Sequence, residues 1–111
     1  MTTRNTVGVA AALLLFAGAA GAGGDPSAGK AKAEPCAACH GETGNADNPA
    51  YPKIAGQYQT YLEQALRDYR SGDRSNAIMA GFASPLSDQD IEDLAAYFAG
   101  QDGDLYVPSV D

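Results

Sequence analysis

Apolar residues recur with the period of an amphipathic helix in three stretches of the chain, and irregular segments separate these stretches. In the longest, residues 57–70, apolar side chains lie three or four positions apart and form one continuous helical face. They are Tyr58, Tyr61, Leu62, Ala65, Leu66 and Tyr69. The pattern predicts a helix over residues 57–70 that packs through this face.

Two shorter stretches carry helix start and stop signals. Ser87 is a favourable N-cap, acidic residues follow it in the first turn, and Gly100 ends the apolar repeat. The other stretch, residues 26–34, begins with a proline after an aspartate cap, and we expect Pro35 to end it. No stretch shows the alternation of a strand. The prediction is an all-α fold with three main helices joined by long loops.

The length of the two predicted loops indicates that they surround a bound group. Residues 41–56 and 71–85 are interrupted by glycine, proline and asparagine, and loops of this length in a compact domain usually wrap something. The chain has 111 residues, of which 45% are hydrophobic, and no tryptophan. That composition supports one small domain with a thin core and excludes a multidomain enzyme. We therefore expect a bound group to complete the core.

The charge balance excludes another class of partner. The chain has seven lysines and arginines and 14 aspartates and glutamates, which gives a net charge of −7. A protein that binds nucleic acid needs a basic surface for the phosphate backbone. Nucleic acid is therefore excluded as a partner.

The N-terminus is typical of an export signal. Arg4 precedes the uncharged residues 7–22, which end in Ala-Gly-Ala and are too few for the roughly 20 residues of a membrane span. We predict a cleaved signal peptide at 1–22 and a periplasmic protein, with an uncleaved membrane anchor as the alternative. The predicted domain is 23–100, and residues 101–111 form a tail that either docks to a partner or frays.

Residues 36–40 read Cys-Ala-Ala-Cys-His, the attachment signature of c-type haem. Two thiols at this spacing, Cys36 and Cys39, can each form a thioether with one haem vinyl group. His40, the chain's single histidine, then lies beneath the ring as an iron ligand, provided that an acceptor orients its second nitrogen. The motif predicts one covalently bound haem c.

Three other interpretations of the cysteines remain open at this point. A thiol redox pair normally lies in a βαβ unit, for which the chain shows no strand pattern. A plain disulfide would leave the long loops without a core. A structural zinc site needs four nitrogen or sulfur ligands, whereas the chain offers two cysteines and one histidine.

A second axial iron ligand has one main candidate. Met79 is the only methionine outside the predicted signal peptide, and it lies in the predicted loop before the last helix. We expect it to ligate iron on the face opposite His40. The alternative is a methionine that fills a gap in the core.

The ordered set of these segments resembles the class I c-type cytochromes, in particular small bacterial soluble ones that are similar to one half of the diheme c-four cytochromes. Beyond the haem motif and Met79, the resemblance covers most of the chain after the signal peptide. The matching segments are NPAYPKIAGQ (48–57), YL (61–62), RDYRSG (67–72) and LSDQDIEDLAAYF (86–98).

The resemblance implies a class I cytochrome c fold wrapped around one haem. It implies Met79 as distal ligand and the Pro52 carbonyl as acceptor from His40 Nδ1. The first and last helices are expected to cross near Gly29, Ala33, Leu94 and Tyr97. Two features depart from the family: the chain has one haem motif where the diheme proteins have two, and Ala33 is smaller than the usual residue at the crossing.

The expected function is one-electron transfer in a periplasmic respiratory chain, without catalysis, because histidine and methionine would fill both axial positions. One alternative is a gas-binding or sensory haem protein in which Met79 dissociates. Another is the electron-entry subunit of a larger oxidoreductase. Tyr58, Tyr61 and Tyr69 are expected to pack in the core and against haem, and Arg70 and Arg74 are candidates for a propionate contact.

Partner choice should follow charge. Acidic residues are concentrated in the C-terminal half, at Asp73, Asp88, Asp90, Glu92, Asp93, Asp102 and Asp104. We expect redox partners with a basic docking surface. The electron donor would be a quinol-oxidising or dehydrogenase complex, and the electron acceptor would be a terminal oxidase or reductase. We expect the protein to contact a membrane only through such partner complexes.

Overall fold

The computed structural model describes residues 23–105, which form five helices and, within that range, no strand. The helices are α1 (Pro26–Lys32), α2 (Glu34–His40), α3 (Gln59–Ser71), α4 (Ala77–Ala83) and α5 (Asp88–Ala99). None of the helices in this part of the chain has the length and apolar character needed to cross a membrane. The predicted signal peptide and residues 106–111 of the predicted tail lie outside the described residues.

The three predicted helices are confirmed as α1, α3 and α5, but the expected role of Pro35 is wrong. Helix α1 ends at Lys32, and Pro35 lies in the first turn of a new helix, α2. Proline fits there because the first helical N–H groups have no partner inside the helix. Only Ala33 separates the two helices, so the haem motif lies on a helix and not in a loop.

Helix α4 lies inside the segment predicted to be a loop. The Asn76 side chain accepts hydrogen bonds from the backbone N–H groups of Ile78 and Met79, at 3.1 and 3.0 Å, and thereby caps the helix. Seven residues are too few to show a clear helical period. The cap residue was the one local sign of this helix.

The protein core centres on the crossing of α1 and α5, as expected. A Cβ at Gly29 would lie 2.0 Å from the Asp93 carbonyl oxygen and 2.8 Å from Tyr97 Cβ, so only glycine permits this approach. Ala33 is 4% exposed and packs in one cluster with Leu94 and Tyr97. Its small side chain therefore suits the crossing.

A buried carboxylate ties the same two helices together at their polar edge. Asp93, 3% exposed, accepts hydrogen bonds from the Lys32 ammonium at 2.6 Å, the Asp25 N–H at 2.8 Å and the Gln89 amide at 2.8 Å. Lys32 also pairs with Asp90 at 2.9 Å. These donors, Lys32 foremost, lower the pKa of Asp93 from its usual 3.8 to about 2.

We predict that Gly29→Ala destabilises the fold by roughly 1–3 kcal/mol, because the new methyl group forces α1 away from α5. Gly81→Ala is the matched control, since Gly81 is also helical and a Cβ there meets nothing within 4 Å. The control should be neutral or stabilising by up to about 1 kcal/mol. Denaturant unfolding of both variants measures the difference, and equal stabilities would contradict the tight crossing.

The lowered pKa of Asp93 predicts a specific acid sensitivity. The carboxylate stabilises the fold at pH values above its unfolded-state pKa, and that contribution is lost as the pH falls from about 4 through about 2. Asp93→Asn should cost about 2 kcal/mol near neutral pH and show a shallower loss of stability across that interval. Unfolding free energies measured at several pH values test this.

Lys32→Gln supplies the comparison for the acid series. It leaves the carboxylate in place but removes its strongest partner, so the loss of stability between pH 4 and 2 should be shallower than in the wild type and steeper than in Asp93→Asn. A slope in Asp93→Asn equal to that of the wild type would show that another carboxylate controls acid unfolding.

Candidate cofactor site

Helix α2 presents the three reactive side chains of the haem motif. Cys36 and Cys39 are three positions apart and share a helix face, and His40 is the last residue of the helix before Gly41. The two thiols are free and half-buried, and they form no disulfide. One helical turn therefore delivers two thiols and an imidazole to the same region.

The local chemistry of the thiols disfavours a thiol redox centre. Burial raises the pKa of Cys36 above its ordinary value, whereas redox-active thiols have a lowered pKa. The zinc interpretation finds no support either, since no group of three His, Cys, Asp or Glu side chains in residues 23–105 is arranged to hold a metal ion. Haem attachment remains as the chemistry that uses both thiols and the histidine.

His40 is buried and its ring orientation is set by one hydrogen bond. Its Nδ1 lies 2.8 Å from the backbone carbonyl oxygen of Pro52. Because a carbonyl oxygen can only accept, Nδ1 carries the proton and the lone pair of Nε2 is free to bind a metal. The carbonyl oxygen is thus the acceptor that the motif requires.

The loop between α2 and α3 holds the Pro52 carbonyl in place through Gly44. The Gly44 carbonyl accepts the N–H groups of Ile54 and Ala55, at 2.8 and 3.1 Å. Gly44 has a φ of 83°, and a Cβ there would lie 2.8 Å from Ala55 N and 3.0 Å from the Phe98 ring. A glycine is needed for the loop to fold back onto α5.

The motif opens onto a cavity of about 420 Å³, within the size range of small-molecule sites. Its walls are mostly apolar and come from α2, α3, α4, α5 and the loop around Pro52. The larger apolar side chains in the wall, apart from Met79, are Tyr51, Ile54, Tyr61, Leu62, Leu66, Tyr69, Ile78, Phe82, Leu94, Phe98 and Leu105. Cys36, Cys39 and His40 all line it, so the loops do surround a site for a bound group.

Met79 lines the same cavity and is half-buried, but from helix α4 and not from a loop. The expectation that the loop before the last helix carries this methionine is therefore wrong. Its backbone N–H is held by the Asn76 cap, so the direction of the side chain depends on that short helix. The cavity thus brings together an imidazole nitrogen and a thioether sulfur.

Only two of the three tyrosines that the helical pattern places on one face line the cavity. Tyr61 and Tyr69 line the cavity, although Tyr61 is 51% exposed, whereas Tyr58 is 55% exposed and lies outside the cavity. Tyr58 precedes α3 as its cap residue, where the helical repeat no longer directs the side chain. The expectation of packing is wrong for this one tyrosine.

Residues 101–105 of the predicted tail pack against the domain. Asn45 donates to the Asp102 carbonyl at 2.8 Å, Lys53 pairs with Asp104, and Leu105 lines the cavity. The expectation for this segment is a tail that docks to a partner or frays, whereas residues 101–105 contact the domain itself. The pairing of Lys53 with a later acid was not readable from local pattern.

The donor set and the cavity fit haem. Two half-buried thiols suit covalent attachment of haem, an oriented imidazole and a thioether suit its iron, and a large apolar cavity suits its ring. The family model for cytochrome c matches residues 26–101.

The chain belongs to the cytochrome c family. It is 50% identical to cytochrome c4 of Pseudomonas aeruginosa over 84 residues, which cover 76% of this chain and 42% of that protein. It is 45% identical to cytochrome c-554(548) of Halomonas halodenitrificans, covering 71% of this chain and 99% of that protein.

A solved structure supports the same assignment. The crystal structure of reduced recombinant cytochrome c4 from Pseudomonas stutzeri matches with a TM-score of 0.70 and 44% identity, over 74% of this chain and 48% of that one. The chain spans roughly half the length of the cytochrome c4 proteins that it matches. It is thus a class I cytochrome c that corresponds to one half of a diheme protein and carries one covalent haem c.

Proposed function

We propose that this cytochrome c is a monohaem one-electron carrier in a periplasmic respiratory chain. The observation that supports it most directly is that His40 and Met79 line one apolar cavity beside the paired cysteines. Haem iron, when bound, supplies the chemistry by cycling between ferric and ferrous states.

Each motif residue then has a role toward the haem. Cys36 and Cys39 would hold the haem through two thioethers, and the Nε2 lone pair of His40 would bind the iron. The Pro52 carbonyl, 2.8 Å from Nδ1, keeps the proton on the other nitrogen and prevents the ring from turning. Met79 is the distal ligand.

Filled axial positions make this a carrier and not an enzyme. A soft thioether favours ferrous iron and raises the reduction potential relative to two histidines. If His40 and Met79 both hold the iron, no position would be open to oxygen or to an organic substrate. The side chains around the cavity therefore serve to hold the ligands and to exclude water.

The proposed location rests on the N-terminal segment. Covalent haem c is bound by the domain that follows residues 1–22, whose charge and small-residue ending favour export and cleavage. Half-buried cysteines without a disulfide in an exported protein suit thioether formation, because thioethers remove the thiols from oxidation.

The proposed partners carry a basic docking surface. Most cationic side chains of the described residues are already paired with carboxylates: Lys32, Lys53, Arg67 and Arg70 all have such partners. Asp93 is buried, so it belongs to the core and not to the docking field. The remaining surface acids give a negative field that suits basic donor and acceptor complexes, a quinol-oxidising or dehydrogenase complex before it and a terminal oxidase or reductase after it.

We predict that Met79→Ala abolishes the long-wavelength sulfur-to-ferric-iron absorption band and lets ferrous iron bind carbon monoxide. The wild type should show the band and remain low-spin with carbon monoxide present. Absorption spectra of both proteins, produced with a haem-attachment system, measure this.

Ile78→Ala is the matched control, because Ile78 precedes Met79 on α4, is 63% exposed and lines the same cavity. It should keep the band. A wild type that binds carbon monoxide would favour the gas-binding alternative, and a band retained in Met79→Ala would refute the distal assignment. Copurification with a larger complex would favour the subunit alternative.

The charge distribution predicts that electron transfer to the physiological partner slows as ionic strength rises. Salt screens the attraction between the acidic surface and a basic partner, with a Debye length of about 10 Å at 0.1 M. Stopped-flow rates measured over a salt series test this. Rates that rise with salt would indicate a basic or apolar docking contact.

A further inference from the structure

Arg74 differs from the other arginines of the described residues in its partners. Arg67 reaches carboxylates at 3.4 and 3.5 Å, and Arg70 reaches the Asp88 carboxylate at 2.6 Å. Within residues 23–105 Arg74 pairs with no carboxylate. It lies instead over the ring of Tyr69, 4.8 Å from the centroid, with Nη1 3.5 Å from the Tyr61 hydroxyl.

The backbone and the two tyrosines together direct this side chain. The Arg74 N–H donates to the Asp68 carbonyl at 3.1 Å, which fixes the turn just after α3. Tyr61 and Tyr69, which contact the guanidinium, both line the apolar cavity, and Arg74 lines it as well. A guanidinium that stacks on an aromatic ring keeps its donor edges available.

The other cationic side chains near the cavity already form ion pairs with carboxylates. Lys53 lines the cavity, but its ammonium pairs with Asp104. Arg70 does not line it and donates outward, to the Leu86 carbonyl at 3.0 Å and to Asp88. Of the cationic lysines and arginines in the cavity wall, Arg74 alone within the described residues has no acidic partner.

We propose that Arg74 binds a propionate carboxylate of the haem and raises the reduction potential through its charge. The inference rests on the proposed function, because it requires haem in this cavity. Arginine suits a carboxylate, since its planar fork can donate two parallel hydrogen bonds. Reduction places one more negative charge on the haem, and an adjacent guanidinium stabilises that form relative to the oxidised one.

The test is the reduction potential of the haem-loaded protein at fixed pH and ionic strength. Arg74→Gln should lower the equilibrium constant for reduction about threefold to tenfold, tenfold being 59 mV for one electron. Arg74→Lys, which keeps the charge, should stay within about threefold of the wild type and above Arg74→Gln. Spectroelectrochemical titration measures all three proteins.

Arg70→Gln is the matched control, because it removes the same charge from a residue that is outside the cavity wall and paired with Asp88. Its potential should change less than that of Arg74→Gln. Equal shifts in the two glutamine variants, or an Arg74→Lys potential as low as that of Arg74→Gln, would overturn the inference. Haem content and the sulfur-to-iron band, recorded on the wild type, show separately whether the proposed function itself fails.

Discussion

The apolar cavity is the constraint on which the rest of this small domain depends. Among the described residues few large apolar side chains are buried, namely Leu62, Ile91, Leu94, Tyr97 and Phe98, so protein atoms alone supply little core. Leu94 and Phe98 on α5 serve two purposes: they pack at the crossing with α1, and they also form part of the cavity wall. The packing of the helices and the binding of haem are therefore coupled through the same residues.

The α1–α5 crossing also positions the haem motif, because helix α2 follows α1 directly. Gly29 lets the helices approach closely, and Asp93 joins their polar edge through Lys32. Helix α2 follows α1 after one residue, so the position of the cysteines and of His40 is set by how α1 rests on α5. The close crossing thus constrains the position of His40, which suits the proposed electron transfer because little would have to rearrange between oxidation states.

Two contacts outside the motif, one with a backbone carbonyl and one with a side chain, set the positions of His40 and Met79. The Pro52 carbonyl orients His40 from a loop that Gly44 folds back, and the Asn76 side chain starts the short helix that carries Met79. Neither feature supplies an atom to the iron. Both help to place His40 and Met79 in the wall of one cavity, as the proposed ligation of iron by these two residues requires.

Local sequence determined helices α1, α3 and α5, the haem motif and the one methionine candidate for an iron ligand. The helices depend on periodicity and capping, and the motif depends on the spacing of two thiols, so that each can be recognised from near neighbours in the chain. Only the tertiary structure decided that Pro35 begins a helix, that Met79 lies on α4, that Tyr58 is exposed and that residues 101–105 pack back on the domain. The packing of residues 101–105 depends on contacts between residues far apart in sequence, such as that of Asn45 with the Asp102 carbonyl, whereas α4 depends on its Asn76 cap, which helical periodicity does not reveal. The contrast between Arg70 and Arg74 is of the same kind: two similar residues four positions apart differ because one meets Asp88 and the other meets the cavity wall.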